Sequence, residues 1–225
     1  ILEEGISEAN SIASWIASAT SYSHAMTPTL PFYIFYSMFG FQRVNDQIWQ
    51  AADARARGFL MGATAGRTTL NGEGLQHQDG HSLLHASTVP FCRSWDPAYA
   101  YELATIIRHG INEMWGENQD VFHYIMLYNQ NERQPPKPEG IDDKIIKGAY
   151  RLSESKSDNR PNVRILGSGP ILSHVIEASE KLVELGINSE IWSVTSYGEL
   201  RREGLESQRI NRLYPEEEKI PYVSE

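Results

Sequence analysis

Three histidines, His77, His81 and His85, recur at intervals of four residues, the first two within the stretch NGEGLQHQDGHS (71–82). On a continuous helix that spacing would aim three imidazoles from one face, a geometry that can hold zinc. Gly80 interrupts the spacing, Gly72 and Gly74 precede it, and the glutamate of an H-E-x-x-H motif is missing, so a helical metal face is disfavoured. A hydrolytic nucleophile has no better support, since the chain lacks a G-x-S-x-G elbow. Two readings of the stretch stay open on composition alone. One is an ordered polar surface loop; the other is a catalytic loop in which a histidine serves as acid, base or hydrogen-bond donor near neutral pH.

The elements around this stretch decide how it would be held. Residues 5–20 (GISEANSIASWIASAT) carry apolar side chains at helical spacing, as do residues 42–57 (QRVNDQIWQAADARAR). PFYIFYS (31–37), GFLMGAT (58–64), STVPFCRS (87–94) and VFHYIMLY (121–128) are short apolar runs that read as strands, the first as a buried one. Asp96-Pro97 signals a helix start, an N-cap residue followed by proline at the first helical position. Helices alternating with short apolar strands predict an α/β domain built on a parallel sheet. Ligands of such sheets gather outside the carboxyl ends of the strands, and the segment 64–86 leaves one such end. At about twenty residues it is longer than most connectors.

NERQPPKPEGIDD (131–143) is proline-rich and charged, a linker by composition. Beyond it, VRILGSG (163–169), PILSHVIEASEKLVELG (170–186) and SEIWSVTS (189–196) read as strand, turn, helix and strand, a crossover unit. The Gly-Ser-Gly turn is either a tight turn or an anion site at the helix start.

Composition narrows the classes. The net charge of −9 argues against a nucleic-acid backbone as main partner, because there is no basic excess to displace counterions. A single cysteine, Cys92, excludes an internal disulfide framework and points to a reducing compartment, here taken as the cytoplasm. No run of about 18 apolar residues is present, so no transmembrane helix is expected. The chain begins inside periodic sequence without an initiator methionine, which suggests a piece of a longer polypeptide.

EEGISEANSIA (3–13), PFYIFYSMFGFQR (31–43), GFLMGATAGRTTLNGEGLQHQDGHS (58–82) and DPAYAYELA (96–104) together resemble the homodimeric bacterial pyruvate dehydrogenase E1 family, thiamine-diphosphate enzymes of the transketolase-like superfamily. The resemblance continues through LGSGPILSHVIEA, VTSYGEL and the tail IPYVSE. It implies most of a pyrimidine-binding domain, truncated at its amino end, over residues 1–135 and a smaller α/β transketolase-like C-terminal domain over 136–225. The diphosphate-binding domain, with its Gly-Asp-Gly…Asn signature for magnesium and diphosphate, is absent. It also implies thiamine diphosphate and Mg2+ as cofactors, pyruvate as substrate, lipoyl-bearing dihydrolipoamide acetyltransferase as partner, and a homodimer in the intact enzyme. The fragment alone is expected to be inactive.

Carried over residue by residue, the resemblance makes Glu8 of the Gly-Ile-x-Glu motif the acid that hydrogen-bonds the pyrimidine nitrogen N1′. Ile6 would line the same pocket and Phe39 would stack on the aminopyrimidine. Tyr36 and His77 would act on substrate and on transfer to lipoamide, where a histidine can deliver a proton to sulfur. Glu73 and Asp79 are the acids placed to orient His77, while Phe32, Phe35 and Phe41 are expected in the core. Arg43 is expected to position the pocket or a dimer interface, and His81 and His85 have weaker claims. Gln78 stands where the resemblance leads one to expect an acid. The rival readings are another thiamine-diphosphate enzyme (a transketolase or a different 2-oxo acid dehydrogenase), a zinc hydrolase using the three histidines, and a docking module.

Overall fold

The computed structural model describes residues 3–63, 74–155, 158–216 and 218–224, without the side chain of Leu75. Two compact units result, one of residues up to Trp95 together with Ile106–Gln134, the other of Asp96–Thr105 and the chain from Pro135 onward.

In the first unit α1 (Glu8–Ala19) and the short α2 (Ser21–His24) lead to β1 (Phe32–Tyr36). Then come α3 (Ser37–Arg43), α4 (Asn45–Asp53), β2 (Phe59–Ala63), a 3₁₀ turn (Leu75–His77), α5 (Ser82–Ser87) and β3 (Cys92–Trp95). Helix α6 (Ala100–Ile111) passes directly into a π-helical turn (Asn112–Gly116) ahead of β4 (Phe122–Met126). The four strands run parallel in the order β1-β2-β4-β3. Their carboxyl ends therefore share one edge, with Tyr36 paired to Ala63. Ile12, Trp15, Phe35, Phe41, Ile48, Leu60, Phe122 and Tyr124 form the core between sheet and helices. The indole N–H of Trp15 donates to the Phe59 carbonyl at 3.1 Å, stitching α1 to the sheet.

The apolar run 31–37 is a strand, but it lies at the sheet's edge. Phe35 is buried, whereas Phe32 and Ile34, which point to the opposite face of the strand, are 45% and 59% exposed; among the described residues β1 pairs with β2 alone. The helix expected over 42–57 is α4, shorter at both ends, and a further helix, α3, precedes it. α3 starts directly after β1, with Gly40 pressed so closely on the Phe35 ring that a Cβ would sit 2.2 Å from it, and the chain bends at Val44 before α4.

The second unit adds α7 (Asp142–Lys147), β5 (Ala149–Ser153), β6 (Asn162–Gly167), α8 (Ile171–Glu184), β7 (Asn188–Val194) and α9 (Tyr197–Leu213), ending in a 3₁₀ turn (Tyr222–Ser224). Its sheet order is β5-β7-β6, with β5 antiparallel and β6 parallel to β7. The expected strand, turn, helix and strand are β6, α8 and β7; β5 and α9 were not anticipated.

Segment Asp96–Thr105 belongs to this unit for an identifiable reason. The wholly buried Glu102 carboxylate accepts the backbone N–H of Ala98 and Tyr99 through one oxygen. Its other oxygen accepts Tyr150 Oη and Ser193 Oγ, each at 2.7 Å. Four donors replace water around the buried carboxyl group, tying the helix start to β5 and β7. Burial pushes the Tyr150 and Tyr101 phenols, 2.5 Å apart, above the ordinary range. Asp96 is not the helix N-cap: α6 begins at Ala100, and the Asp96 carboxylate accepts Ser168 Oγ at 2.8 Å. The Gly-Ser-Gly turn is thus engaged by a carboxylate of the same unit and reads as a tight turn.

Candidate active site

Tyr36 ends β1 and the helix α3 begins at the next residue, so Tyr36, Phe39 and Arg43 follow one another at helical spacing on one side. The Tyr36 and Phe39 rings are 5.6 Å apart and nearly parallel. The Arg43 guanidinium lies 4.8 Å from the Phe39 ring centre, within cation–π range. Its Nη1 reaches Glu8 Oε1 at 2.5 Å. On the other side Tyr36 Oη and His77 Nδ1 are 2.7 Å apart, and the His77 ring stands edge-on to both aromatic rings. Glu8, Arg43, Phe39, Tyr36 and His77 therefore form one unbroken chain of contacts drawn from α1, β1, α3 and the segment after β2.

Glu8 is the first residue of α1, after the N-cap Ser7 whose hydroxyl accepts Asn10 N–H. A helix start favours an anion. Its own backbone N–H first, and then the Arg43 guanidinium, hold the Glu8 carboxyl below the ordinary value, so it is ionised near neutral pH. Ile6 is not drawn into this assembly: its side chain is fully exposed.

The histidines separate. His81 Nδ1 lies 3.6 Å from Asp79 Oδ1, and His85 stands edge-on to the buried Phe41. His81 and His85 face each other with ring centres 5.4 Å apart, while His77 turns to Tyr36. Among the described residues no group of three His, Cys, Asp or Glu side chains is arranged to hold a metal ion. The zinc reading is therefore not favoured. Phe35 and Phe41 are in the core as expected, but Phe32 is not; it stacks on Phe59 at 4.9 Å. Glu73 lies outside the described residues.

Asp79 does something other than approach His77 directly. Its buried carboxylate accepts the backbone N–H of His81 and Ser82, both at 3.0 Å, and Ser82 Oγ at 2.5 Å. Ser82 Oγ in turn accepts Tyr124 Oη from β4 at 3.0 Å. Tyr124 and Ser82 were not singled out from the sequence. The signal available was Asp-x-x-Ser directly ahead of the apolar LLHAS, the pattern of an aspartate that caps a following helix.

Residues 1–135 match the pyruvate dehydrogenase E1 component middle domain family, and residues 148–223 match the transketolase-like C-terminal domain family. The pyruvate dehydrogenase E1 component of Pseudomonas aeruginosa is 58% identical over 227 residues, covering 100% of this chain and 26% of its own length. That of Escherichia coli K12 is 51% identical over 228 residues, with the same two coverages. The chain thus spans about a quarter of these relatives. Transketolase from Campylobacter jejuni superposes with a TM-score of 0.63 at 19% identity, over 83% of this chain and 27% of that one, which shows the shared α/β fold. The parallel sheet with a smaller transketolase-like unit after it is the architecture the sequence predicts, and a transketolase as such is not favoured. With the middle-domain match spanning 135 of its 225 residues, the chain belongs to the pyruvate dehydrogenase E1 component family.

Proposed function

We propose that this chain carries the pyrimidine-binding half of the active centre, together with the C-terminal domain, of a pyruvate dehydrogenase E1 subunit. The intact enzyme would decarboxylate pyruvate and pass the acetyl group to lipoamide on a dihydrolipoamide acetyltransferase, as a cytoplasmic homodimer. On this reading residues 1–135 are the pyrimidine-binding domain and 136–225 the C-terminal domain. The observation that carries it is the continuous Glu8–Arg43–Phe39–Tyr36–His77 contact chain, in a sequence 58% identical to a pyruvate dehydrogenase E1 component.

The donor set suits one half of thiamine diphosphate. An ionised carboxylate beside an aromatic ring offers an acceptor for a ring nitrogen that carries a proton, and a plane for a flat heterocycle. When bound, the cofactor supplies the electron sink that a 2-oxo acid needs in order to lose CO2. Glu8 would hold the ring nitrogen N1′, and Phe39 would stack against the aminopyrimidine. Exposed Ile6, two residues before Glu8, would gain its apolar contact there. Tyr36 Oη and His77 Nδ1 hold each other through one hydrogen bond; on this reading the tyrosine hydroxyl would meet the substrate and the imidazole would serve as proton donor for the dithiolane sulfur of lipoamide. The diphosphate and Mg2+ would be held by the domain that lies outside this sequence.

In the intact subunit, Glu8→Ala should lower pyruvate decarboxylation, and His77→Ala transfer to lipoamide, each by about 10²–10⁴. Unchanged rates in both variants would remove the assignment. The 225-residue chain alone should show no heat of thiamine-diphosphate binding in a calorimetric titration with magnesium. Micromolar, magnesium-dependent binding would contradict the division of the site between domains.

A further inference from the structure

We infer that Asp79, Ser82 and Tyr124 form a buried, one-way hydrogen-bond relay that positions His77, so that they are positioning residues for acetyl transfer. The inference rests on the reading of His77 given above. The three side chains are almost wholly buried, at 1%, 1% and 0% exposure. Their direction follows from chemistry. A carboxylate only accepts, so Ser82 Oγ–H donates to Asp79 Oδ2; the Ser82 oxygen is then left to accept, and Tyr124 Oη donates to it. Asp79 Oδ1 meanwhile fixes two backbone N–H groups of its own segment, at His81 and Ser82.

The relay therefore clamps residues 79–82 on the sheet. At one end Tyr124 belongs to the central strand β4, stacked against Phe35 and packed on Phe41. At the other end Asp79 lies two residues from His77, which the 3₁₀ turn has just completed through His77 N–H to the Gly74 carbonyl. Even the floor is shaped for the tyrosine hydroxyl: a Cβ at position 62 of β2 would stand 2.4 Å from Tyr124 Oη, and glycine leaves that space open. His77 Nδ1 lies 2.7 Å from Tyr36 Oη, and the setting of its ring against Tyr36 follows the position in which the backbone at 77–79 is held. Displacement of a reacting group by about 1 Å can cost about a hundredfold in rate, so a clamp of this kind bears on chemistry without touching substrate.

The test uses the intact subunit, with transfer to lipoamide measured beside pyruvate oxidation by a small artificial electron acceptor. Tyr124→Phe removes one hydroxyl and keeps the ring; Ser82→Ala removes the middle group; Ser82→Thr retains the hydroxyl and is the conservative rescue. The first two should lower transfer to lipoamide about tenfold to a hundredfold with smaller loss of oxidation by the artificial acceptor, and Ser82→Thr should restore most of the transfer. Equal loss of both activities, or folded Tyr124→Phe and Ser82→Ala variants with normal transfer, would overturn the relay. His77→Ala in parallel separates the two claims. If it leaves transfer intact, the role of His77 fails; if it abolishes transfer while Tyr124→Phe and Ser82→Ala do not lower it, only the relay fails.

Discussion

The first unit should lose stability in acid in two steps set by a single buried cluster. The indole N–H of Trp95 donates to His123 Nδ1 at 3.0 Å. An indole can only donate, so Nδ1 carries the lone pair and the His123 proton sits on Nε2. That nitrogen faces Glu113 Oε2 at 3.3 Å, off the line of an ideal hydrogen bond. Arg93 holds the other oxygen of Glu113 through Nε and Nη2, at 3.2 and 2.9 Å, and His109 approaches from α6 at 3.6 Å. Burial alone would raise the Glu113 carboxyl, but the His123 contact and the Arg93 charge prevail and push it down to about 2 from 4.5. A carboxyl depressed in the folded state contributes stability that is present above its unfolded value and lost as pH falls through the folded one. At 1.36 kcal/mol for each pH unit of displacement, that is about 3 kcal/mol lost between about pH 5 and 2.

His123 acts earlier. Burial lowers its pKa, so the unfolded chain takes up a proton near the ordinary 6.5 while the folded one does not, and stability already declines below about pH 6.5. Protonation would also set an Nδ1–H against the Trp95 donor. Urea unfolding at closely spaced pH values, followed by tryptophan emission, reads this out, since Trp15, Trp49, Trp95 and Trp115 lie in the first unit. Glu113→Gln should abolish the step between pH 5 and 3, and His123→Gln the one between 7 and 5. A parent protein with flat stability from pH 7 to 3, or a Glu113→Gln variant with the parent's slope, would refute the reasoning.

In the second unit, Glu102→Ala should leave four buried donors without their acceptor and unfold that unit, since about 1–3 kcal/mol each exhausts ordinary stability. Glu102→Gln should cost only about 2 kcal/mol by thermal melting, because its oxygen can face the two fixed backbone N–H groups while the Tyr150 and Ser193 hydroxyls turn to accept. Gly62→Ala should cost about 1–3 kcal/mol in urea unfolding, its Cβ meeting both Tyr124 Oη and Ser37 Cβ. It should also lower lipoamide transfer in the intact subunit; wild-type stability would show that the floor beneath Tyr124 yields.

The local periodicities were legible because they record burial. The runs 58–64 and 121–128 became central strands, and α1 and α8 fell where apolar spacing put them. What escaped depends on partners distant in sequence. The run 31–37 carries the apolar signature of an interior strand, yet it stands at the end of the order β1-β2-β4-β3, and Phe32 and Ile34, on the face opposite Phe35, are exposed. Asp96-Pro97 is a correct local signal overridden by a tertiary one, since Ser168 engages the aspartate and Glu102 takes over the helix start. The candidate site was read through resemblance, whereas its support was not, because Tyr124 and Ser82 are more than forty residues apart; the Glu102–Tyr150 pairing inside the second unit escaped for the same reason.

Convergence of the five candidate residues follows from topology more than from any one side chain. Parallel pairing of β1 with β2 brings Tyr36 level with Ala63 at one edge of the sheet. His77 meets Tyr36 and Phe39 beside the start of α3. Because α3 begins without an intervening loop, Phe39 and Arg43 stay on the side of Tyr36 and reach the amino end of α1, where Glu8 waits. One residue more between Tyr36 and Phe39 would turn the phenylalanine by about 100° and carry Arg43 away from Glu8. The abrupt strand-to-helix change at Ser37 is therefore as necessary to the site as the glutamate and the histidine it joins.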